Sequence, residues 1–292
     1  MNLSRCNEQF GIDDRLSFFE HPSGLIGAKI QTNNCTGEFY LQGAHVTRFQ
    51  PAHALQPVLF MSEQAVYASG KALRGGIPIC FPWFNSHQTD PTLPAHGWAR
   101  NSVWELQKTD IDQGIVGIDL GLQRDDWSAQ YRIRFGRELQ TTFAATNLSN
   151  IEQSFEVALH SYFTVGGISQ VMIDGDLNRC GFYDQLTKQT HPAQGEAIRF
   201  HQETDRIYYG NAPSISLRDH TWNRSIVIES EGSHATIVWN PWIDKAKRMP
   251  DFGDQEYLSM CCIETANVRE ESVRVAPGAT HQLSMKIGTG PL

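Results

Sequence analysis

Long uninterrupted apolar runs are missing from this chain of 292 residues. No stretch approaches the roughly 18 consecutive apolar residues of a membrane-spanning helix, so the sequence predicts no membrane association. The N-terminal segment MNLSRCNEQFGIDD also lacks the apolar region of a secretory signal. We therefore expect a cytoplasmic protein.

An excess of positive charge is equally absent, because the formal net charge is −8 at pH 7. Nonspecific binding to nucleic acid or to an anionic membrane depends on a positive field. The sequence thus predicts neither partner, and an anionic substrate would need positive side chains gathered locally.

Residue spacings typical of metal sites are missing as well. The six cysteines form no CxxC pair and the eleven histidines are dispersed, which predicts no metal. In a chain of this length without a secretory signal, we expect reduced thiols rather than disulfides. The motifs GxxxxGK[ST], GxGxxG, HExxH and GxSxG are also absent.

Strand-like runs, by contrast, recur throughout and are separated by Gly, Asn, Asp and Pro. They are more numerous than one open sheet usually holds, whereas two antiparallel sheets packed face to face would accommodate them. Because no linker or repeat divides the chain, we predict one all-β domain over residues 1–292, a large antiparallel β-sandwich with few short helices. We expect helical turns near SEQAVYASGKA and DKAKRM, and a β-hairpin across IVIESEGSHATIVWN.

Two predicted strands carry residues suited to proton transfer. In SFEVALHSYFTVG, His160 lies on the face opposite Phe155 and Leu159, because strand side chains alternate. In EYLSMCCIETANV, Glu264 ends a mostly apolar face, where desolvation would raise the pKa of its carboxyl group. The alternatives are a satisfied core histidine and a strand that has reached solvent at the glutamate, and the alternation alone does not decide between them.

Polar loops supply further candidates. Arg74 in ALRGGIPICFPWF has a planar donor fork suited to phosphate or carboxylate, although a surface arginine in a turn is equally compatible. PAHGWARNSVWEL adds His96 and Arg100, and ETDRIYYG adds Asp205. Lys245 lies in a long loop of the kind that often lines a site.

Taken together, these segments resemble the glucose-6-phosphate 1-epimerase (hexose-6-phosphate mutarotase) family of the aldose 1-epimerase, or galactose mutarotase-like, superfamily. The resemblance extends in family order from Leu73 to Val268. The matching segments are LRGGIPICFPWF, HGWAR, ALHSYFTVGGISQVMIDGD, ETDRIYY, VWNPWIDKAKRMPDFGDQEY and MCCIETANV.

The resemblance implies a galactose mutarotase-like β-supersandwich that interconverts the α and β anomers of hexose 6-phosphates, glucose 6-phosphate above all. His160 resembles the family's general acid and Glu264 its general base. An acid and a base suffice to open and close a hemiacetal ring, so we expect neither cofactor nor metal.

The resemblance also implies the substrate contacts. Arg74 and Arg100 resemble the arginines that bind the 6-phosphate, and His96 lies between them in the matched pocket. Asp205 resembles the acidic residue that holds sugar hydroxyls. We expect a small sugar phosphate as the partner of a monomeric protein.

Two other functions are compatible with the same scaffold, because function depends on the site rather than on the fold. The first is a non-catalytic carbohydrate-binding or sugar-phosphate-sensing β-sandwich, which would need neither His160 nor Glu264. The second is a glycoside hydrolase or lyase; in a hydrolase, Glu264 and Asp205 would form the carboxylate pair. His160 would then have no evident role.

Overall fold

A computed structural model describes residues 2–292 and confirms the predicted all-β class. The first eleven strands of the described chain are β1 Leu16–Glu20, β2 Ile26–Gln31, β3 Cys35–Tyr40, β4 His45–Pro51, β5 Ile79–Cys80, β6 Glu105–Asp112, β7 Ile115–Arg124, β8 Trp127–Phe135, β9 Leu139–Asn147, β10 Gln153–Phe155 and β11 Val157–Leu159. The others are β12 Tyr162–Thr164, β13 Val171–Gly175, β14 Gly181–Asp184, β15 Gln189–His191, β16 Thr204–Tyr209, β17 Ser214–Asp219, β18 Arg224–Glu231, β19 Ala235–Asn240, β20 Met260–Asn267, β21 Val273–Val275 and β22 Thr280–Pro291.

Two eight-stranded antiparallel sheets dominate the fold. The first, the back sheet, has the order β13-β17-β18-β22-β9-β8-β7-β6. The second, the site sheet, has the order β15-β14-β16-β19-β20-β11-β5, with β12 also paired to β20. A four-stranded sheet, β1 to β4, and the short pair β10 and β21 complete the strands of the described residues.

One buried apolar core joins the two large sheets. Val238 and Ile263 of the site sheet belong to the same cluster as Phe143, Ile226 and Leu283 of the back sheet. The sheets therefore pack face to face, as predicted. Because this core draws on strands from β1 to β22, we propose that the chain forms a single domain.

The site sheet has a second face, which points away from the main core. Directly opposed residues of antiparallel strands lie on the same face, so the strand pairing places two rows of side chains there. These rows are Ile207, Ile237, Glu264 and His160, and Asp205, Trp239, Cys262 and Tyr162. A smaller apolar cluster that includes Ala246 and Phe252 covers part of this face.

Helices are few and short in residues 2–292. The α-helices are α1, Leu3–Phe10, and α2, Trp242–Arg248; α2 confirms the helical turn predicted near DKAKRM. Short 3₁₀ turns occupy Ala99–Asn101, Ile168–Gln170, Asp176–Arg179, Glu256–Ser259 and Arg269–Glu271. No helix of this part of the chain is long and apolar enough to cross a membrane.

The helical turn predicted near SEQAVYASGKA is wrong. This segment is an irregular loop with isolated turns. Its carbonyl groups at Ala68 and Lys71 accept hydrogen bonds from the side-chain amide of Gln42. These long-range bonds hold the backbone in a loop, and local periodicity in the sequence carries no information about them.

The predicted hairpin across IVIESEGSHATIVWN is also wrong. β18 pairs with β17 and β22 in the back sheet, whereas β19 pairs with β16 and β20 in the site sheet. The chain therefore bends at Gly232, which has φ +75°, and crosses from one sheet to the other. Turn residues indicate where a chain bends, but they do not specify which strand it pairs with next.

Candidate active site

A cavity of about 220 Å³ lies on the second face of the site sheet. Its lining residues are Arg74, Phe84, Asn85, His96, His160, Gln185, Asp205, Ile237, Trp239, Lys245, Met249 and Glu264. Five of the six site residues predicted from the sequence are among them, and Arg100 is not. Strands distant in sequence thus bring the predicted groups to one place.

His160 lies at a break in the strand that the sequence predicts across SFEVALHSYFTVG. β11 ends at Leu159 and β12 begins at Tyr162, while both pair with β20 in one continuous register. That register sets His160 directly opposite Glu264, and His160 Nε2 lies 3.4 Å from Glu264 Oε1. At the break, the backbone N–H of His160 donates to the carbonyl of Pro78 rather than to β20.

The imidazole of His160 is held between aromatic rings. It stacks on Tyr162 with 4.7 Å between ring centroids and 8° between ring planes, and it meets Trp239 nearly at right angles with 6.1 Å between ring centroids. Burial lowers the pKa of His160 well below its usual value, and the neighbouring His96 and Arg100 act in the same direction. The environment therefore favours the neutral imidazole.

Glu264 is 1% exposed, so the buried interpretation of its strand is correct and the solvent-exposed one is wrong. Burial raises the pKa of its carboxyl well above the usual range; Asp205 acts in the same direction and Arg100 opposes it. Glu264 Oε2 and His160 Nδ1 have no hydrogen-bond partner in the described protein. Buried polar atoms of this kind are costly unless a ligand pairs with them.

Arg74 is already partly engaged by neighbouring side chains. Its Nε and Nη2 atoms lie 3.2 and 3.1 Å from Asp251 Oδ2, and its Nη1 donates to the Tyr162 hydroxyl over 3.0 Å. A guanidinium has five N–H groups, so two remain for a ligand. Arg74 also anchors the ring on which His160 stacks. Asp251 was not among the site residues predicted from the sequence.

His96 and Arg100 differ in their relation to the cavity. His96 lines it, and burial lowers the pKa of its imidazole well below the usual value. Arg100 donates through Nη2 to the carbonyl of Ala95 over 2.8 Å, and its Nε has no partner in the described protein. Gly97 lies between them in the sequence and has a left-handed backbone conformation. A Cβ added there would lie 1.9 Å from the Phe81 carbonyl oxygen. Only glycine fits there.

Asp205 belongs to a polar chain along one wall. It accepts a 2.5 Å hydrogen bond from Gln185, whose own side-chain oxygen accepts from Asn85 over 2.9 Å. Lys245 Nζ lies 3.6 Å from Asp205 Oδ2. Burial raises the pKa of the Asp205 carboxyl, and Lys245 opposes that shift.

Four cavity residues were missed or only partly anticipated. Asn85 and Gln185 lie outside regular strands and carried no signal in the sequence. Trp239 alternates with the core residue Val238, so strand parity could have identified it. Lys245 was predicted in a long polar loop with a helical turn near DKAKRM; it lies on α2 and lines the cavity.

Comparison with known proteins agrees with this architecture. A family model described as aldose 1-epimerase matches residues 28–288. The chain belongs to the aldose 1-epimerase family. The family resemblance inferred from the sequence is thereby confirmed.

Similar proteins within the family carry related names. A "Putative glucose-6-phosphate 1-epimerase" of Cenchrus ciliaris is 34% identical over 277 residues, which cover 88% of this chain and 82% of the relative. One of Salmonella typhimurium with the same name is 32% identical over 237 residues and 78% of each chain. The crystal structure of a "putative mutarotase" from Salmonella typhimurium superposes with a TM-score of 0.89, at 26% identity over 97% of this chain and 96% of that one.

A galactose mutarotase-like protein from Clostridium acetobutylicum has a TM-score of 0.69 at 14% identity, and covers 95% of this chain and 98% of that one. At this identity the likeness concerns the fold alone. The predicted galactose mutarotase-like supersandwich is confirmed.

Proposed function

We propose that this aldose 1-epimerase family member interconverts the α and β anomers of hexose 6-phosphates, with glucose 6-phosphate as the favoured substrate. The observation that carries the proposal is the buried His160–Glu264 pair, 3.4 Å apart on the wall of a cavity. The names of its relatives support the choice of substrate. Cytoplasmic location and a monomeric state remain predictions.

Glu264 is the proposed general base and His160 the proposed general acid. Glu264 removes the proton of the C1 hydroxyl, the C1–O5 bond breaks with its electron pair on O5, and His160 delivers a proton to O5. The open aldehyde rotates about C1–C2. Closure on the other face of the carbonyl reverses both proton transfers and gives the other anomer.

The pair needs one proton in total for this cycle. Ring opening begins with a carboxylate and an imidazolium, and ends with a carboxyl and a neutral imidazole. The pKa shifts of both groups favour the second arrangement in the ligand-free site. Both arrangements hold the same number of protons, so the ligand-free pair already carries the one proton that the cycle needs. Sugar oxygens entering the cavity would stabilise the charged arrangement.

Substrate binding is assigned to the groups around the pair. The two free N–H groups of Arg74 and the ammonium of Lys245 supply positive charge for the phosphate. The carboxyl oxygens of Asp205 accept hydrogen bonds from sugar hydroxyls. Arg100 does not line the cavity, so we propose that it acts on His160 and Glu264 through its charge.

The cavity size favours a single sugar. Its volume of about 220 Å³ is below the roughly 300 Å³ at which pockets for drug-sized ligands begin. An oligosaccharide would not be enclosed, which disfavours the glycoside hydrolase. A binding module would not need a buried acid–base pair, which disfavours the sensing alternative.

Anomer exchange tests this proposal on the unmodified protein. Two-dimensional exchange NMR should show faster interconversion of glucose 6-phosphate than of glucose, and the same order for galactose, mannose and their 6-phosphates. Equal acceleration of free and phosphorylated sugars would contradict the proposed preference for hexose 6-phosphates. Binding of the sugar phosphate without acceleration would indicate the sensing protein instead.

A further inference from the structure

A thiol lies beside the proposed acid–base pair. Ligating atoms of Cys262, His160 and Glu264 all lie within 4.8 Å of one another, and all three side chains are buried. We propose that these three residues bind a soft divalent cation, Zn²⁺ above all, and that the bound cation inhibits the enzyme.

The strand pairing creates this cluster. Cys262 and Glu264 are two residues apart on β20 and so share a face, while His160 lies opposite Glu264 across the strand break. The three ligands are thus neighbours in space, although Cys262 and Glu264 follow His160 by more than 100 residues in the sequence. This separation explains why the sequence predicted no metal.

The donor set suits zinc better than a hard cation. Zn²⁺ is bound by thiolate, imidazole and carboxylate, and three protein ligands leave a fourth position open. Ca²⁺ and Mg²⁺ prefer oxygen ligands throughout. In a tetrahedral zinc site the ligating atoms lie about 3.5 Å apart, so modest side-chain rotations would close the cluster around the ion.

Two unsatisfied atoms point independently to a ligand. Glu264 Oε2 and His160 Nδ1 have no hydrogen-bond partner in the described protein, and their residues are 1% and 8% exposed. Both residues line the cavity, which provides a path of entry. Cys262 is fully buried next to them.

Metal binding must release protons. Burial raises the pKa of the Cys262 thiol and of the Glu264 carboxyl, and the proximity of the two groups raises that of the thiol further. A thiol and a carboxyl must lose their protons to bind Zn²⁺, whereas a neutral imidazole binds without losing any.

Cobalt spectroscopy tests the site without relying on catalysis. Titration of the whole protein with Co²⁺ should give thiolate-to-cobalt charge-transfer absorption and the visible bands of tetrahedral Co²⁺. Cys262→Ala should lose the charge-transfer band. Cys261→Ala is the matched control, because Cys261 is equally buried on the same strand but faces the main core; it should keep the band.

Inhibition provides the second arm. Zn²⁺ should slow anomer exchange in the wild type, and EDTA should restore the rate. Relative to each variant's own activity, Cys262→Ala should need at least about 10-fold more Zn²⁺, since losing one of three ligands typically costs that much or more, and Cys261→Ala should match the wild type.

Equal zinc sensitivity of Cys262→Ala and wild type, or a wild-type cobalt spectrum without a thiolate band, would overturn the proposal. If the protein proved inactive towards sugar phosphates, the cobalt arm would still decide on the metal site. The failure of one proposal is thus distinguishable from the failure of the other.

Discussion

At the scale of single residues, the site depends on where one proton resides. The carboxyl of Glu264 and the imidazole of His160 are both shifted toward their neutral forms by burial. A buried pair of full charges would cost more in desolvation than a neutral pair. The pair can therefore keep one proton on Glu264 in the ligand-free site and transfer it to His160 when a polar ligand enters.

The stability of the fold should reveal the shifted carboxyl. Folded Glu264 keeps its proton above the pH at which the unfolded chain releases it, so the native state binds more protons. The unfolding free energy then falls as pH rises above the usual glutamate pKa, by up to about 1.4 kcal/mol per pH unit. Glu264→Gln removes this dependence, so its unfolding free energy relative to the wild type should increase as pH rises above the usual glutamate pKa.

Urea unfolding at several pH values measures that difference. Glu196→Gln is a suitable control, because Glu196 is exposed and its replacement should leave a pH-independent offset. If the curves of Glu264→Gln and wild type ran parallel over this pH range, the carboxyl would not be shifted.

Arg74 has two roles that substitution can separate. Arg74→Ala removes both the N–H groups left for phosphate and the bond to Tyr162. Tyr162→Phe removes only that bond and keeps the ring under His160. We expect Arg74→Ala to raise KM for glucose 6-phosphate about 10- to 100-fold, the effect of one lost charge-assisted contact of 1.5–3 kcal/mol.

Tyr162→Phe should leave KM nearly unchanged and alter kcat modestly. Steady-state kinetics of both variants provides the comparison. A KM increase of the same size in Tyr162→Phe would show that Arg74 acts through the aromatic ring rather than on the phosphate.

At the scale of elements, alternation along the strands predicted the correct sheet face for each proposed catalytic group. It placed His160 opposite Leu159 and Glu264 on the same face as Cys262, and both placements hold. The break in the strand after Leu159 and the crossing of the chain from the back sheet to the site sheet at Gly232 were not predicted. Both depend on which strand lies alongside, and this information is spread over residues far away in the sequence.

The HGWAR segment shows how an element fixes the site. Gly97 has φ +75°, and a Cβ there would lie 1.9 Å from the Phe81 carbonyl oxygen. Gly97→Ala should therefore displace the loop that carries His96 and destabilise the fold by more than about 2 kcal/mol, beyond the 1–2 kcal/mol of left-handed backbone strain alone.

Gly24→Ala provides the matched control. Gly24 has φ +86° but nothing lies within 4 Å of its added Cβ, so only the backbone strain should appear. Thermal or urea unfolding of both variants measures the difference. Equal losses of stability would mean that the loop adjusts without cost.

At the scale of the whole molecule, the two-sheet architecture explains how an acidic protein can present the positive side chains that we propose bind the phosphate. The net charge is −8, yet Arg74 and Lys245 line one cavity and Arg100 lies close enough to shift the pKa of His160. The back sheet supports the site sheet through one core, so the positions of these charges are fixed by packing.

Composition and strand count were enough to predict the class of this fold. The proposal of His160 and Glu264 as the catalytic pair followed from the family resemblance, since alternation alone was also compatible with a core histidine and a solvent-exposed glutamate. The metal-binding cluster at Cys262 could not be predicted, because its three ligands meet only once β11, β12 and β20 are paired.

The exchange rate of glucose 6-phosphate anomers at about pH 7 tests the central claim most directly. Two-dimensional exchange NMR on wild type and on Glu264→Gln, at matched and saturating substrate, measures it. General acid–base catalysis contributes about 10²- to 10⁴-fold, so the account predicts a loss of that size in Glu264→Gln with sugar-phosphate binding preserved. A rate within about twofold of the wild type would contradict the assignment of Glu264 as the base.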